Sequence, residues 1–368
     1  MQCNAVSLRD FRNIEQAEVR FCPGVNVLYG NNAQGKTNLL EAVYFAAIGK
    51  SFRSLHAKEC IAFGKEAAAI SLDFEGAGRV QNITMHLFLN RLRAVEKNHV
   101  RVGKMSELVG AFRAVLFCPE QLSLIKGGPA ERRQFLDIAI SALEPAYLAG
   151  LQRYAHILKQ RNALIRAAEK DRAGFNATVE VWSRQLAHEG AYLARSRMRY
   201  VQKAIPHVAS CFTEMTNERE HPTLVYLGCD KEEGATYEDI SHVEALLYQK
   251  LTSNYEKEIA AGATLYGVHK DDIDVMLNGR SARSFASQGQ QRSLALALKL
   301  AEGELCREDC GEYPVFLLDD VLSELDGSRR DYLLHKIAGR QVIMTTCEAV
   351  NDRVDRMIRV ENGRFLQA

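Results

Sequence analysis

The feature that most restricts the fold is the stretch Gly30-Asn31-Asn32-Ala33-Gln34-Gly35-Lys36-Thr37-Asn38, which follows the apolar run Val25 to Tyr29 and precedes LLEAVYFAAIG. Its first eight residues satisfy the phosphate-loop spacing GxxxxGK[ST]. With glycine near 7% of average composition, such a match arises by accident in a chain this long at roughly the per cent level. The context lowers that figure further. A strand feeding the turn, and a helix leaving it on the apolar face of Leu39, Leu40, Val43 and Tyr44, would aim backbone N–H groups and a helix dipole at one anion. Glycine is required at 30 and 35, because a Cβ would block the turn or the close approach of phosphates. In such a cradle Gly30 to Asn38 hold the nucleotide, Lys36 reaches the β and γ phosphates, and the Thr37 hydroxyl ligates Mg2+.

A nucleotide site with magnesium also needs a carboxylate at the end of a buried strand, and Val315-Phe316-Leu317-Leu318-Asp319-Asp320 provides one. Asp319 is the candidate metal residue, and Asp320 is the candidate general base, paired in catalysis with Lys36. A single Asp closing a strand is usually a turn residue. Two successive acids after four apolar residues, in a chain with a phosphate loop, favour the site instead. Ser323 to Asp326, SELD, follows at once. A third piece is Ser287-Gln288-Gly289-Gln290-Gln291-Arg292, opening a helix with Leu294, Leu298, Ala301 and Leu305 on one face. Alone, a Ser there is an ordinary N-cap. Functionally, Ser287, Gly289 and Gln290 would form a second phosphate-binding helix end. One chain cannot easily bring both ends to the same γ-phosphate, which implies a head-to-head homodimer with ATP between the protomers.

The rest of the chain reads as an α/β unit interrupted by a helical insertion. VSLRDF, EVRF and VNVLY lead into the turn, and ITMHLFL with RLRAVEKNHVRV predicts antiparallel pairing. After Gly127 and Gly128, Pro129 starts a mainly helical stretch. Tyr147 to Ile165 and Val179 to Leu193 predict a helical hairpin with a turn at DRAGFN. Beyond Thr264 strands return, with a hairpin at Asn278-Gly279 and a last core strand QVIMTT. The expected division is 1–125 and 264–368 for the two parts of the ATPase head, and 126–263 for the helical lobe between them. With 47 Lys plus Arg against 46 Asp plus Glu, attraction to a polyanion must come from local patches. Nine scattered Cys without zinc spacing read as reduced thiols. No apolar run reaches membrane-spanning length and no signal peptide is evident, so the expected location is the cytoplasm, with no membrane partner.

A phosphate loop, SxGQ(Q)R, an LLDD acid pair and SELD in this order resemble the ABC-type ATPase heads of the SMC and Rad50 group. LRDFRN near the start, GKSFRSL after the first helix, and CPEQLSLIKGGPAERRQFLD from Cys118 to Asp137 are similar to one branch of it, the bacterial recombination-mediator RecF family. The likeness spans essentially the whole chain, and is weakest from about Asp171 to Asp239. One departure is the family's GPHRDD, which stands here as Gly267-Val268-His269-Lys270-Asp271-Asp272. Lys270 lacks the planar fork of an Arg. The resemblance implies a weak, DNA-stimulated ATPase of DNA repair, replication, recombination and the SOS response, acting on single-stranded DNA gaps and duplex junctions near the nucleoid. It would help RecR and RecO place RecA. Gln121 is the candidate γ-phosphate contact between Cys118 and Leu122. Thr345 and Thr346 close the last core strand where transporter heads place a switch His, so a sensing role is assigned to them.

Four rival readings stand beside this one. A transporter's ATPase subunit shares the motifs, but about 250 residues separate Gly35 from Gly289, far more than such subunits place there. Long SMC-type arms do not fit in the insertion at about 1.5 Å per helical residue. A scaffold that binds ATP without hydrolysing it is opposed by Asp320 only in part, and a GTPase is opposed by the lack of NKxD. For DNA, the densest basic clusters are Arg91, Arg93, Lys97, Arg101 and Lys104, then Arg195, Arg197, Arg199 and Lys203, with Lys126, Arg132 and Arg133 near Pro129. The first two read at least as well as solvated faces, and the third as an anion contact at a helix start. No interleaving of aromatic and basic residues points to base stacking, so binding is expected to be sequence-independent and salt-sensitive.

Overall fold

The computed structural model describes residues 1–122, 124–216, 220–228, 237–347 and 354–367. In chain order its first part contains β1 (Gln2–Phe11), β2 (Ile14–Arg20), β3 (Val25–Tyr29), α1 (Lys36–Ile48), β4 (Ala67–Gly76), β5 (Arg79–Phe88), β6 (Ala94–Lys97), β7 (Val100–Arg101), β8 (Ala114–Phe117) and α2 (Pro119–Leu122). The middle contains α3 (Pro129–Leu143), α4 (Pro145–Ala167), α5 (Arg172–Thr216), β9 (Pro222–Leu227), α6 (Ile240–Thr252), α7 (Tyr255–Ala261), β10 (Asp272–Leu277), β11 (Arg280–Ser281) and α8 (Ala282–Phe285). The last part contains α9 (Gln288–Cys310), β12 (Val315–Asp319), α10 (Gly327–Lys336), β13 (Val342–Thr346), β14 (Arg356–Glu361) and β15 (Arg364–Gln367). Two compact units result, one of 1–123, 211–217 and 292–368, the other of 124–210 and 218–291.

The first unit is built on two six-stranded sheets. One is antiparallel in the order β2-β1-β4-β5-β6-β7. Its strands alternate, so that Val6, Leu8, Ile70, Leu72, Ile83 and Met85 are buried on one face while the other stays half-exposed. The second sheet runs β15-β14-β3-β13-β12-β8, and all pairs from β14 to β8 are parallel. Its central strands are continuous apolar runs, as sheets covered on both faces require; Val315 to Leu318 are buried without alternation. Leu39, Leu40 and Val43 of α1 pack in the same core with residues of both sheets. Register then decides what meets at the carboxyl ends. Thr345 lies opposite Asp319 on one side and Leu28 on the other, and Thr346 lies opposite Tyr29. The phosphate turn that follows Tyr29 is thereby set beside the acid pair that closes β12.

The second unit packs helices around buried charge. Arg161, with no exposed side-chain surface, donates to Glu258 at 2.6 Å, Thr264 at 2.8 Å and Ser183 at 3.1 Å. Such a pair costs several kcal/mol to desolvate (roughly, per ion) and persists because nearly every donor is satisfied. The predicted turn at DRAGFN is shorter than expected: α5 begins at Arg172 and runs 45 residues, past Pro206. Only Asp171 of that segment lies outside the helices, its carboxylate accepting from Gly174 N–H at 2.8 Å as a helix-start cap.

The division of the chain also differs from the expected 263/264 boundary. β9, inside the stretch expected to be mainly helical, pairs with β10 from Asp272↔Leu227 to Leu277↔Pro222, and β11 follows β10. This three-stranded sheet carries the C-terminal hairpin, α8 and the start of α9 into the second unit. The turn at Asn278-Gly279 is as predicted, with φ of 52° and 74°. Among the described residues no helix is long and apolar enough to cross a membrane.

Candidate functional site

Around the phosphate turn the first unit opens a cleft of about 480 Å³, lined by Asn13, Asn32 to Asn38, Arg53, Asp320, Thr345 and Cys347. Gly30 adopts φ 145°, and a Cβ there would stand 2.4 Å from the Val360 carbonyl oxygen. Gly35, at φ 112°, is the residue from which α1 starts, with no side-chain cap and no acid in the first turn. The helix dipole is therefore uncompensated at the turn, which favours an anion. The far side of the turn is braced by the β14–β15 hairpin: Gly363 N–H donates to the Gln34 carbonyl at 2.9 Å and Asn362 N–H to Gln34 Oε1 at 2.6 Å. Lys36 folds over the turn, donating to the carbonyls of Gly30 at 2.5 Å and Asn31 at 2.8 Å.

The acid pair meets the loop directly. Thr37 Oγ1 donates to Asp319 Oδ1 at 2.8 Å, although 282 residues separate them, and Thr345 Oγ1 donates to the same oxygen at 2.9 Å. Burial pushes the Asp319 carboxyl up, against the opposing pull of the Thr37 and Thr345 hydroxyls. A hard divalent cation would reverse that penalty. A hydroxyl and one carboxylate beside a phosphate cradle form the oxygen-donor set that magnesium accepts, since it keeps several waters and phosphate oxygens as its remaining ligands. Asp320 is exposed at φ 49°, and its backbone N–H donates to Thr345 Oγ1 at 2.9 Å. Thr345 is thus engaged on both sides, holding Asp319 and Asp320 rather than presenting a free hydroxyl.

The segments noted near the start and after the first helix build the cleft wall, a role that residue type and spacing alone did not reveal. Buried Glu41 accepts from Arg12 Nε at 3.0 Å and Nη2 at 2.6 Å, and also from Ser51 Oγ. This anchors the loop that carries Arg53, whose Nη1 donates to Asn38 Oδ1 at 2.8 Å. Asn13 bridges the same region, donating to the Ala33 carbonyl at 3.2 Å and accepting from Asn38 at 2.7 Å. Arg53 brings a cation to the cleft that would have been found by asking which side chain follows a loop tied to α1. Gln121 is not among the lining residues; its Oε1 is buried and has no hydrogen-bond partner among the described residues.

Ser287, Gly289 and Gln290 belong to the second unit. Ser287 and Gln290 form a reciprocal cap at the start of α9: Ser287 N–H donates to Gln290 Oε1 at 2.6 Å, and Gln290 N–H to Ser287 Oγ at 3.3 Å. Ser287 is nonetheless exposed, as a group meeting another molecule must be. Farther along, in the first unit, Arg292 donates to the Glu324 carbonyl at 2.7 Å and Arg329 to Ser293 Oγ at 2.6 Å, tying SELD to α9.

The basic clusters separate on inspection. Arg101, Lys104, Lys126, Arg199 and Lys203 are exposed. Arg93 donates to the Gly49 carbonyl at 2.5 Å, and Arg91 lies 3.6 Å from the centroid of the Phe88 ring. Arg132 must be withdrawn as a DNA contact. It is buried, forks onto Asp272 at 2.7 and 2.8 Å, and donates to the Gly127 carbonyl at 2.7 Å. Arg133 Nη1 donates to the Asp271 carbonyl at 2.7 Å. Arg195 is half-buried, its Nε without a partner among the described residues, and Arg197 is buried against Asp137 at 2.8 Å and Asp271 at 3.4 Å. In GVHKDD, then, both acids serve buried arginines. His269 is held by Tyr154 at 2.7 Å and the Thr264 carbonyl at 3.1 Å, and burial pushes its pKa down to about 4. Lys270 is exposed.

A parallel core with phosphate loop and acid pair side by side, split by an inserted unit that carries the start of the signature helix, defines an ABC-type ATPase head. The SMC head domain of Pyrococcus furiosus has the same fold at 16% identity and a TM-score of 0.56, covering 99% of this chain and 95% of that one. The RecF/RecN/SMC N terminal domain matches residues 3–364, and the chain belongs to the RecF family. It is 36% identical over 378 residues to the DNA replication and repair protein RecF of Ligilactobacillus salivarius, covering 100% of this chain and 98% of that protein. With the RecF of Listeria welshimeri it shares 39% over 348 residues, 94% and 93% of the two chains. A solved structure of the recombination mediator protein RecF-ATP in RecFOR pathway superposes with a TM-score of 0.94 at 31% identity, covering 100% of this chain and 97% of that one.

Proposed function

We propose that this chain is an ATP-dependent DNA-binding protein of replication and repair, whose ATP-bound homodimer clamps DNA at single-strand gaps and duplex junctions. The observation that carries the reading is the direct bond from Thr37 to Asp319, which joins the phosphate loop to the acid pair in one cleft. Full-length relatives that are DNA replication and repair proteins, and a neighbour solved with ATP, support the same conclusion. In this reading Gly30 to Asn38 and Lys36 bind the triphosphate, while Thr37 and Asp319 would hold Mg2+, which would supply neutralisation of phosphate charge. Asp320 orients and deprotonates the attacking water. Ser287, Gly289 and Gln290 of a second copy close on the γ-phosphate, so that ATP favours the dimer and the dimer favours DNA. Slow hydrolysis then resets the clamp. RecR and RecO are the proposed partners, with RecA loading as the outcome, in the cytoplasm near the nucleoid.

Thr345 is a positioning residue for the two acids rather than a γ-phosphate sensor. The cation that Arg53 brings to the cleft is assigned to the nucleotide phosphates. The test of the catalytic assignment is single-turnover ATP hydrolysis by Asp320→Asn. We expect ATP binding to persist and turnover to fall at least about 100-fold, the scale of general-base catalysis. Turnover at the wild-type rate would remove Asp320 as the base.

A further inference from the structure

One end of the antiparallel sheet in the first unit carries a group of apolar and aromatic side chains that the nucleotide site does not use. Phe63, in the Ala62 to Lys65 turn, is fully exposed at 105%, and Leu92, in the β5–β6 turn, is 93% exposed. The two turns belong to the same sheet end, because Leu89 N–H donates to the Glu66 carbonyl at 3.1 Å and Phe88 pairs with Ala67. On the solvent-facing side of β5, His86 and Phe88 stand two residues apart with rings 18° from parallel and centroids 6.4 Å apart. The Arg91 guanidinium folds back to lie 3.6 Å from the Phe88 centroid. The strand partners of these rings are small: Ala67 opposite Phe88, and Ala69 and Ala94 on either side of His86. None of these strand partners is bulky, and His86 and Phe88 stay half-exposed, with Arg91 over the Phe88 ring. Scattered exposed apolar residues are ordinary, but several at one sheet end, beside planar groups flanked only by alanines across the strands, are not.

Charge decides what fits there. The segments Ala62 to Ala69 and Phe88 to Ala94 carry Lys65, Arg91 and Arg93 against Glu66 alone. Lys65 is paired with Asp10 at 3.1 Å, whereas among the described residues no carboxylate lies within ion-pair reach of Arg91. A flat apolar surface with an unneutralised guanidinium matches a polyanion that also presents planar apolar groups. Duplex DNA hides its base faces, while a single strand offers them. Bases stack on aromatic rings and on guanidinium planes alike.

We propose that this sheet end is a base-stacking platform for unpaired DNA, with Phe63, Phe88 and Arg91 as its stacking groups and His86 as support for Phe88. The proposal rests on the DNA-binding reading above and adds to it the way in which a single-stranded gap is told from duplex. In the sequence the platform is hidden, because His86, Phe88 and Arg91 become neighbours only through strand alternation and the return of the turn.

The test uses the full-length protein with ATP and three labelled probes of equal length: an oligothymidylate, its abasic counterpart and a duplex. Fluorescence anisotropy should show wild type binding the oligothymidylate more tightly than the abasic strand. Phe63→Ala and Phe88→Ala should each weaken oligothymidylate binding by about 5- to 150-fold and leave the abasic strand and the duplex unchanged. Phe88→Tyr should restore it, since stacking is kept. Arg91→Ala should also lower the salt dependence of single-strand binding by about 0.7 in the log–log slope. Equal wild-type affinity for the base-bearing and abasic strands would overturn the platform while leaving the DNA reading intact, and failure to bind any of the probes would remove both. Phe63, being fully exposed, can be removed without loss of folding; unchanged oligothymidylate binding by Phe63→Ala/Arg91→Ala, at an unchanged melting temperature, would likewise overturn the proposal. So would loss of RecR binding in these variants with DNA binding intact, which would make the sheet end a protein-docking surface.

Discussion

Replacing Thr345 by Val keeps the side-chain shape and removes one hydroxyl that makes two hydrogen bonds, each 2.9 Å long, to Asp319 Oδ1 and from Asp320 N–H. Thr345 and Asp319 are both buried, so solvent replaces neither bond well. A hydrogen bond to a charged group is worth about 1.5 to 3 kcal/mol and a neutral one about 0.5 to 1.5, which gives about 2 to 4 kcal/mol of lost stability. For a unit of this size that is a fall of about 4 to 16 °C in melting temperature, already present without nucleotide. Asp320 sits in a left-handed conformation that its neighbours must enforce. Losing its N–H partner should therefore misplace the carboxylate and slow hydrolysis by about 10- to 100-fold. ATP and ADP affinities should both change by less than about threefold, because the phosphate loop is untouched. Thr345→Ser, which retains the hydroxyl, should recover most of the rate. Calorimetry without nucleotide and single-turnover hydrolysis read the two effects separately. An unchanged melting temperature, with a loss of affinity confined to ATP over ADP, would refute the positioning role and make Thr345 a γ-phosphate sensor.

Lys36→Met should lower ATP affinity by about 10- to 150-fold through loss of a charge-assisted phosphate contact, measured by isothermal titration, with the fold intact by circular dichroism. Gly30→Ala would place a Cβ 2.4 Å from the Val360 carbonyl at a φ that only glycine tolerates, and should cost about 2 to 4 kcal/mol in urea unfolding while abolishing nucleotide binding. Arg132→Lys should destabilise the second unit by about 1 to 3 kcal/mol through loss of the fork onto Asp272, yet leave the DNA affinity of the folded protein unchanged. Burial lowers His269 from 6.5 to about 4 and raises Asp271 from 3.8 to about 6. The unfolded chain holds the extra His proton between pH 4 and 6.5, so that group makes stability rise with pH; the native state holds the extra Asp proton between about 3.8 and 6, so that one makes it fall. Each is worth about 3 kcal/mol, so the two contributions nearly cancel from pH 4 to 6, and relative to wild type His269→Asn should lose stability as pH rises across that window.

What the sequence disclosed and what it withheld divide by the range of the interactions. The phosphate turn, the acid-ending strand and the Asn278-Gly279 hairpin are local patterns, and each lies where its spacing predicts. The parallel register that brings Thr345 opposite Asp319 depends on chain partners far apart, so the last strand was legible as a strand but not as the holder of both acids. Arg53 escaped notice because its place follows from the buried Glu41 that anchors its loop, and no spacing advertises that contact. Charge was the least reliable guide. Arg132 and Arg197 look in sequence like members of exposed basic clusters, yet both are buried to neutralise acids from elsewhere in the second unit. β9 was missed because a six-residue strand beside long helices becomes evident only through its pairing with β10.

The central claim is that ATP joins two copies through the phosphate loop of one and the signature helix of the other. Sedimentation of wild type and Ser287→Arg, with ATP, ADP or no nucleotide, tests it most directly. The account predicts dimers of wild type with ATP alone, and monomers of Ser287→Arg under all three conditions. Dimers that form equally well without ATP, or that persist in Ser287→Arg, would contradict it.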